Sequence, residues 1–180
     1  MKKTLLFLLF TLILSAPLYS QSKSNQHLKF MGIPIDGSIT NFQNKLIAKG
    51  FKYDQTTSKA VEGPTRFYNG QFAGETVMLI VYYDRDQKFV YRVKAVVDCS
   101  TADLANSKMC MFRNQLIEKY NTSAEEGQYE GNESYYIPLA NGWVDLFYNQ
   151  KTYDVGYSLH LDYWDAVNTQ KNQRNNMDDL

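Results

Sequence analysis

The fold is decided by a stretch that occurs twice, first as Phe42-Gln-Asn-Lys-Leu-Ile-Ala-Lys49 and again, 70 residues later, as Phe112-Arg-Asn-Gln-Leu-Ile-Glu-Lys119. Five of the eight positions are identical, and an aromatic pair follows each copy at a similar offset, Phe67-Tyr68 in the first half and Tyr135-Tyr136 in the second. A helix match alone is common, because amphipathic helices reuse few residue types. A match that extends into the following segments predicts two tandem copies of one unit.

Each copy lies in a segment with the signals of an amphipathic helix. Residues 38–49 begin at the capping candidate Ser38 and end before Gly50, and residues 101–120 begin at Thr101, with Ser100 as an alternative cap. Apolar residues recur at helical spacing in both segments. They are Ile39, Phe42, Leu46 and Ile47 in the first and Ala105, Met109, Phe112, Leu116 and Tyr120 in the second. We expect both helices to pack on the same face of a sheet.

Alternating apolar and polar residues predict a meander of antiparallel strands after each helix. The predicted strands cover residues 51–54, 65–72, 75–84, 88–98, 133–139, 143–149 and 153–164, with a short one near residues 28–33. Residues 120–131 are interpreted as a polar loop, Asn141-Gly142 as a hairpin turn and residues 167–180 as a polar disordered tail. The pattern favours an α+β fold, with residues 21–98 as the first repeat and residues 99–166 as the second, in one compact domain.

The first 20 residues have the three parts of a secretory signal peptide. Two lysines precede an apolar run over residues 5–14, and small residues follow it before Gln21. The run is shorter than the about 20 apolar residues that span a bilayer, and no cysteine for lipid attachment lies near the cut. We expect a soluble mature chain in the periplasm or outside the cell, with no membrane span; an uncleaved anchor is the alternative.

The charge balance bears on the class of partner. Lysine plus arginine and aspartate plus glutamate each number 19, and this balance argues against a nucleic-acid partner, which requires a basic surface. Cys99 and Cys110 do not have the spacing of a zinc site. In an oxidising compartment they form a possible disulfide, provided that their Cα atoms approach within about 7 Å.

The segment Met31-Gly-Ile-Pro-Ile-Asp-Gly37, followed by a capped helix and a strand meander, resembles short envelope modules in which helices lie on an antiparallel sheet. The layout of residues 28–164 is similar to β-lactamase-inhibitor-protein-like folds and to small outer-membrane-assembly-lipoprotein-like folds. It equally resembles an uncharacterised secreted bacterial family. The resemblance implies a protein that binds other proteins and is not an enzyme, and it transfers no functional residue.

Motifs for catalysis or cofactor binding are not found in the sequence. His160 and Asp162 share a strand face with Ser158, but residues two apart on a strand stand roughly 7 Å apart, and no G-x-S-x-G surrounds a serine. Asp84-Arg-Asp86 lacks the other positions of a calcium loop, and no glycine motif for phosphates is present. We therefore expect no cofactor and no metal, with a hydrolase near His160 as the alternative.

The sheet face away from the helices is the best candidate for function. Period-two alternation places eight residues on it: Met78, Ile80, Tyr82, Arg92, Lys94, His160, Asp162 and Trp164. A contiguous patch with tyrosine, tryptophan and arginine is typical of an interface core. We predict that this face binds a protein, a peptide or a glycan of the cell envelope. Self-association through this face or through an edge strand is the third reading.

Overall fold

The computed structural model describes residues 26–152 and 154–178, so the predicted signal peptide lies outside the described residues. The described chain contains four helices: α1 (Ile39–Ala48), α2 (Gln55–Ala60), α3 (Ala102–Tyr120) and α4 (Ala166–Asp178). Its strands are β1 (Lys29–Phe30), β2 (Ile33–Pro34), β3 (Lys52–Asp54), β4 (Thr65–Phe72), β5 (Glu75–Tyr83), β6 (Val90–Cys99), β7 (Glu125–Tyr129), β8 (Asn132–Leu139), β9 (Gly142–Gln150) and β10 (Tyr157–Asp165).

One large antiparallel sheet has the strand order β3-β4-β5-β6-β10-β9-β8-β7, and β1 pairs with β2 in a separate hairpin. Helix α1 precedes the run β3 to β6, and α3 precedes the run β7 to β10. The last strands of the two runs, β6 and β10, pair with each other in the centre of the sheet. The predicted α+β class is confirmed.

Helices α1 and α3 begin where the sequence predicts. The Ser38 Oγ accepts a hydrogen bond from the Asn41 N–H at 3.3 Å, and the Thr101 Oγ1 accepts one from the Leu104 N–H at 3.2 Å. These bonds satisfy amide groups that the first turn of a helix leaves unpaired. Asn121 ends α3 in the left-handed conformation, which asparagine tolerates better than most residues.

One hydrophobic core joins the apolar stripes of α1 and α3 to one face of the sheet. The central strands supply cross-strand rows such as Leu79, Ala95, Leu161 and Leu146, all completely buried. The helices contribute Ile39, Phe42, Leu46, Ala105, Met109, Phe112 and Leu116. Ile47, predicted to belong to the stripe of α1, is instead 48% exposed. Helices α1 and α3 do not cover the opposite face of the sheet.

The predicted disordered tail over residues 167–180 is wrong, because its described part forms α4. The Asp165 carboxylate caps this helix by accepting the Asn168 N–H at 2.8 Å, and it also accepts the Leu28 N–H at 2.8 Å. The buried Asn168 amide donates to the carbonyls of Ile35 and Val90 at 3.1 and 2.8 Å. Buried polar anchors therefore order a segment whose composition has little apolar character.

Three further local assignments differ from the sequence-based ones. Residues 125–129 form strand β7 where a loop is predicted, and the short helix α2 follows Asp54, whose carboxylate accepts the Thr57 N–H at 2.9 Å. The β8–β9 hairpin turns at Ala140-Asn141, one residue earlier than predicted. Gly142 is the first residue of β9. Glycine is required at this position, because a Cβ there would lie 1.9 Å from the Trp164 carbonyl oxygen.

The possible disulfide is not formed in the structure, where Cys99 and Cys110 are both free thiols. Cys99 is buried in the core at the end of β6, and its Sγ lies 3.9 Å from the Val97 carbonyl oxygen. Cys110 lies on α3 outside the buried stripe of that helix. The two side chains therefore sit in different surroundings, and burial raises the pKa of the Cys99 thiol.

Candidate functional site

The strand register places all eight predicted face residues on the side of the sheet opposite the core. They lie on neighbouring strands β5, β6 and β10, and β9 extends each row by one residue. The rows are Met78–Val96–His160–Phe147, Ile80–Lys94–Asp162–Asp145 and Tyr82–Arg92–Trp164–Trp143. Seven of the eight are partly exposed, and Asp162 is buried. We call this side the open face.

Asp162 is the electrostatic centre of the open face. Its side chain is only 3% exposed and accepts two hydrogen bonds from Arg92, with Nε at 2.8 Å from Oδ1 and Nη2 bonded to Oδ2. The Lys94 Nζ lies 3.4 Å from Oδ2. Burial acts to lower the pKa of Arg92, but the hydrogen bonds and charge of Asp162 outweigh it, and the pKa is raised. For Lys94 burial dominates, and its pKa is lowered.

Aromatic rings hold Arg92 from two directions. Its guanidinium carbon lies 4.3 Å from the centre of the Tyr82 ring and 3.9 Å from that of Trp164. Trp164 in turn stacks on Trp143, with ring centres 5.6 Å apart and planes 11° apart. Cation–π contacts of this kind are worth about 0.5–1 kcal/mol when exposed and more when desolvated. Contacts within the chain therefore hold Arg92 in one position.

His160 packs as an aromatic ring. It stacks on Phe147 with ring centres 4.6 Å apart, and its Nε2 lies 2.8 Å from the Asn149 Oδ1. Burial, and then the charges of Lys94 and Arg92, lower the pKa of His160 to about 4. The carboxylate of Asp162 is bonded to Arg92 and not to this imidazole. His160 is consequently neutral near pH 7 and has no carboxylate to orient it.

A cleft of about 410 Å³ lies on the open face, displaced from its centre towards the β7 edge. Its floor includes Arg92, Lys94, Asp162 and Trp164 from the predicted set, whereas Met78, Ile80, Tyr82 and His160 do not line it. Tyr129 of the edge strand reaches over β8 to contact Phe147 of β9, with ring centres 4.2 Å apart. The β7–β8 hairpin thereby forms a wall of the cleft.

Sequence reasoning missed the residues that the second half contributes to this cleft. They include Glu125, Glu126, Tyr129, Tyr136, Asp145 and Phe147. The alternation of residues 143–149 could have placed Asp145 and Phe147 on the open face. The hairpin residues carried no such signal, because every residue of β7 is exposed and the strand has no apolar alternation.

Asp145 stands directly across from Asp162 on the neighbouring strand. Burial, followed by the negative charge of Asp162, raises the pKa of the Asp145 carboxyl. The Trp143 indole N–H donates to its Oδ2 at 3.2 Å. No lysine or arginine in the described chain forms a salt bridge with this carboxylate within 4.0 Å. The nearby charge of Arg92 acts in the opposite direction and partly offsets this rise in pKa.

The described ranges contain no group of three or more histidine, cysteine, aspartate or glutamate side chains placed to hold a metal ion. Among the same residues, no helix is both long and apolar enough to cross a membrane. No family model, curated protein or solved structure matches the chain. The geometry of the cleft is therefore the basis for a functional proposal.

Proposed function

We propose that the chain is a non-enzymatic binding module that acts outside the cytoplasm and takes its ligand in the open-face cleft. The observation that carries the proposal is a cleft of about 410 Å³ built on a charged and aromatic floor. Ligand sites are typically concave, with a few fixed polar groups among apolar and aromatic ones. Residues 1–20, with the pattern of a signal peptide, supply the extracytoplasmic part of the proposal.

Preorganisation supports binding at this position. Arg92 is fixed by Asp162 and by the rings of Tyr82 and Trp164. Its side chain therefore loses little conformational entropy when a ligand binds. Tryptophan, tyrosine and arginine are also the residue types that dominate binding energies at protein interfaces. A floor that is rigid before contact loses less conformational entropy on binding than a flexible surface would. The ligand is a protein, a peptide or a glycan of the cell envelope.

Two alternatives receive less support. A hydrolase centred on His160 needs that imidazole to reach the cleft, yet His160 does not line it and is instead stacked on Phe147 and bonded to Asn149. Self-association through the open face needs two copies to oppose the same acidic residues, which include Glu125 and Glu126. Light scattering of the purified chain separates a monomer from the self-associating form.

We also propose that the two halves are copies of one helix-and-meander unit. The matching helical stretches fall in α1 and α3, and each helix is followed by four strands that are consecutive in the sheet. The pairing of β6 with β10 relates the two runs in an antiparallel way. In this proposal the second copy joins its first two strands, β7 and β8, by a tight turn, whereas the first copy has α2 between β3 and β4.

The test is capture of an envelope ligand by the full-length chain carrying a C-terminal tag. Tyr136, which lines the cleft and is 39% exposed, is replaced by alanine. The matched control is Leu104→Ala, since Leu104 is also 39% exposed and lies on α3 away from the open face. We expect Tyr136→Ala to lose the captured ligand and Leu104→Ala to retain it. Equal capture by both variants would refute the site.

The intact mass of the exported chain tests cleavage near Gln21.

A further inference from the structure

We propose that the β7 edge accepts an extended basic segment of a partner protein as an added strand, whose cationic side chain lies beside Glu125 at the rim of the cleft. This inference rests on the binding function proposed for the cleft and names its ligand class. It follows from three features of the β7–β8 hairpin: an open strand edge, a cluster of glutamates and a missing side chain at Gly127, between Glu125 and Tyr129 on the open face.

Strand β7 ends the sheet, and all five of its residues are exposed. The hairpin turns on two residues, Glu130 and Gly131, which both have positive φ. A two-residue turn of this kind joins a hydrogen-bonded pair, here Tyr129 and Asn132. Along β7, residues whose N–H and C=O groups bond to β8 alternate with residues whose groups point away from it. Tyr129 bonds to β8, so the backbone groups of Gln128 and Glu126 point outwards, and no described strand pairs with that side. Such an edge is a template for an added strand.

The charge of this region selects the partner. Residues 120–150 contain five acidic residues and no lysine or arginine: Glu125, Glu126, Glu130, Glu133 and Asp145. The cations that reach the cleft, Arg92 and Lys94, are already paired with Asp162. A second copy of β7 would set glutamates against glutamates, and like charges on paired strands are destabilising. Charge complementarity therefore favours a basic segment over self-pairing.

Gly127 leaves space for this side chain at the rim of the cleft. Glu125, Gly127 and Tyr129 share the open face, because their partners on β8 include Tyr136 and Ser134, which stand across from Asp145 and Phe147 on β9. Gly127 has no side chain to close the wall between its two neighbours on that face. An added strand places the residue opposite Gly127 on the same face. A lysine or arginine there can extend over the glycine towards the carboxylate of Glu125, the next residue of β7 on that face.

The experiment uses a short synthetic peptide in which lysine alternates with threonine, and the same peptide with glutamate in place of lysine. Binding to the full-length chain is followed by fluorescence anisotropy at low and high ionic strength. We expect only the lysine peptide to bind, with an affinity that falls as salt rises. Amide exchange at Glu126 and Gln128 should slow in the complex, because the added strand protects their N–H groups.

Three variants separate the features. Glu125→Gln with Glu126→Gln should weaken binding about five-fold, since two exposed negative charges that attract the lysines of the peptide are removed. The matched control for charge is Glu62→Gln with Glu118→Gln, at two exposed glutamates elsewhere. Gln128→Pro removes an outward N–H, and Gly127→Val closes the gap while leaving every charge in place. Each should weaken binding about ten-fold or more if the peptide adds as a strand. Circular dichroism confirms that the variants fold.

The outcomes distinguish this inference from the function on which it rests. The inference is overturned if the lysine peptide does not bind, if the glutamate peptide binds equally, or if neither Gln128→Pro nor Gly127→Val weakens binding. In each of those cases a loss of envelope capture by Tyr136→Ala would still support the cleft as a site for another ligand class. Concentration-dependent dimers that Gln128→Pro abolishes would instead identify a second copy as the occupant and overturn the inference.

Discussion

His160 should make the protein less stable in mild acid. Its pKa is lowered to about 4, first by burial and then by Lys94 and Arg92, whereas histidine in an unfolded chain titrates near 6.5. Between pH 4 and pH 6.5 the unfolded state binds a proton at this histidine, whereas the folded state does not. Stability is therefore fully present above pH 6.5 and is lost as the pH falls towards 4.

The size of the effect follows from the two pKa values. At pH 7 the unfolded histidine is mostly neutral and the penalty is small. At pH 5 it is almost fully protonated when unfolded and only slightly so when folded, so that about 2 kcal/mol of unfolding free energy is lost between pH 7 and pH 5. His160→Gln should not show this loss, and a glutamine can keep the hydrogen bond to Asn149.

Urea denaturation of the wild type and of His160→Gln at both pH values measures the difference, which isolates His160 from the other titrating groups. His27→Gln serves as the control, because His27 is the other histidine of the chain and lies outside the stack of His160 on Phe147, with its Nδ1 3.0 Å from the Asp165 carboxylate. The reasoning is refuted if the two proteins lose equal stability, or if the imidazole signal of His160 in NMR titrates near 6.5.

Three substitutions test the packing that surrounds the site, each by urea denaturation at pH 7. Asp162→Ala leaves the guanidinium of Arg92 without its carboxylate and should cost about 3 kcal/mol, at the lower end for a broken buried pair because Arg92 is 18% exposed; a loss below about 1 kcal/mol would contradict the buried pair. Asn168→Ala leaves two buried carbonyls without donors and should cost about 2–3 kcal/mol, whereas a frayed α4 would make it neutral. Gly142→Ala places a methyl group against the Trp164 carbonyl and should cost about 2 kcal/mol or more; unchanged stability would mean that β9 and β10 separate there easily.

Strand alternation and helix caps predicted the centre of the molecule. The alternation around Arg92 and Lys94 placed both on one face, and the alternation around His160 and Asp162 did the same for β10. The alternation of apolar and polar residues along a strand does not specify which strands pair with each other. The pairing of β6 with β10 brings Arg92 against Asp162, although the period-two pattern of each strand is unchanged by the choice of neighbour.

The cleft was harder to predict because an edge strand supplies part of its lining. Residues 125–129 have no buried side and resemble a loop by composition, yet pairing with β8 makes them a strand. Helix α4 was missed for a related reason. Its order comes from Asp165 and Asn168, two polar side chains whose partners are distant in sequence. Local pattern reasoning weighs apolar periodicity and cannot identify such partners.

The central position of β6 has a consequence for how the chain matures. This strand is complete at Cys99, but its partner β10 begins only at Tyr157, so a chain that is still being synthesised presents β6 with one side unpaired. Exposed edges of apolar strands recruit other chains. A polypeptide ending shortly after Cys99 should therefore aggregate, and a chaperone that shields this strand until the second half arrives would raise the yield of native protein.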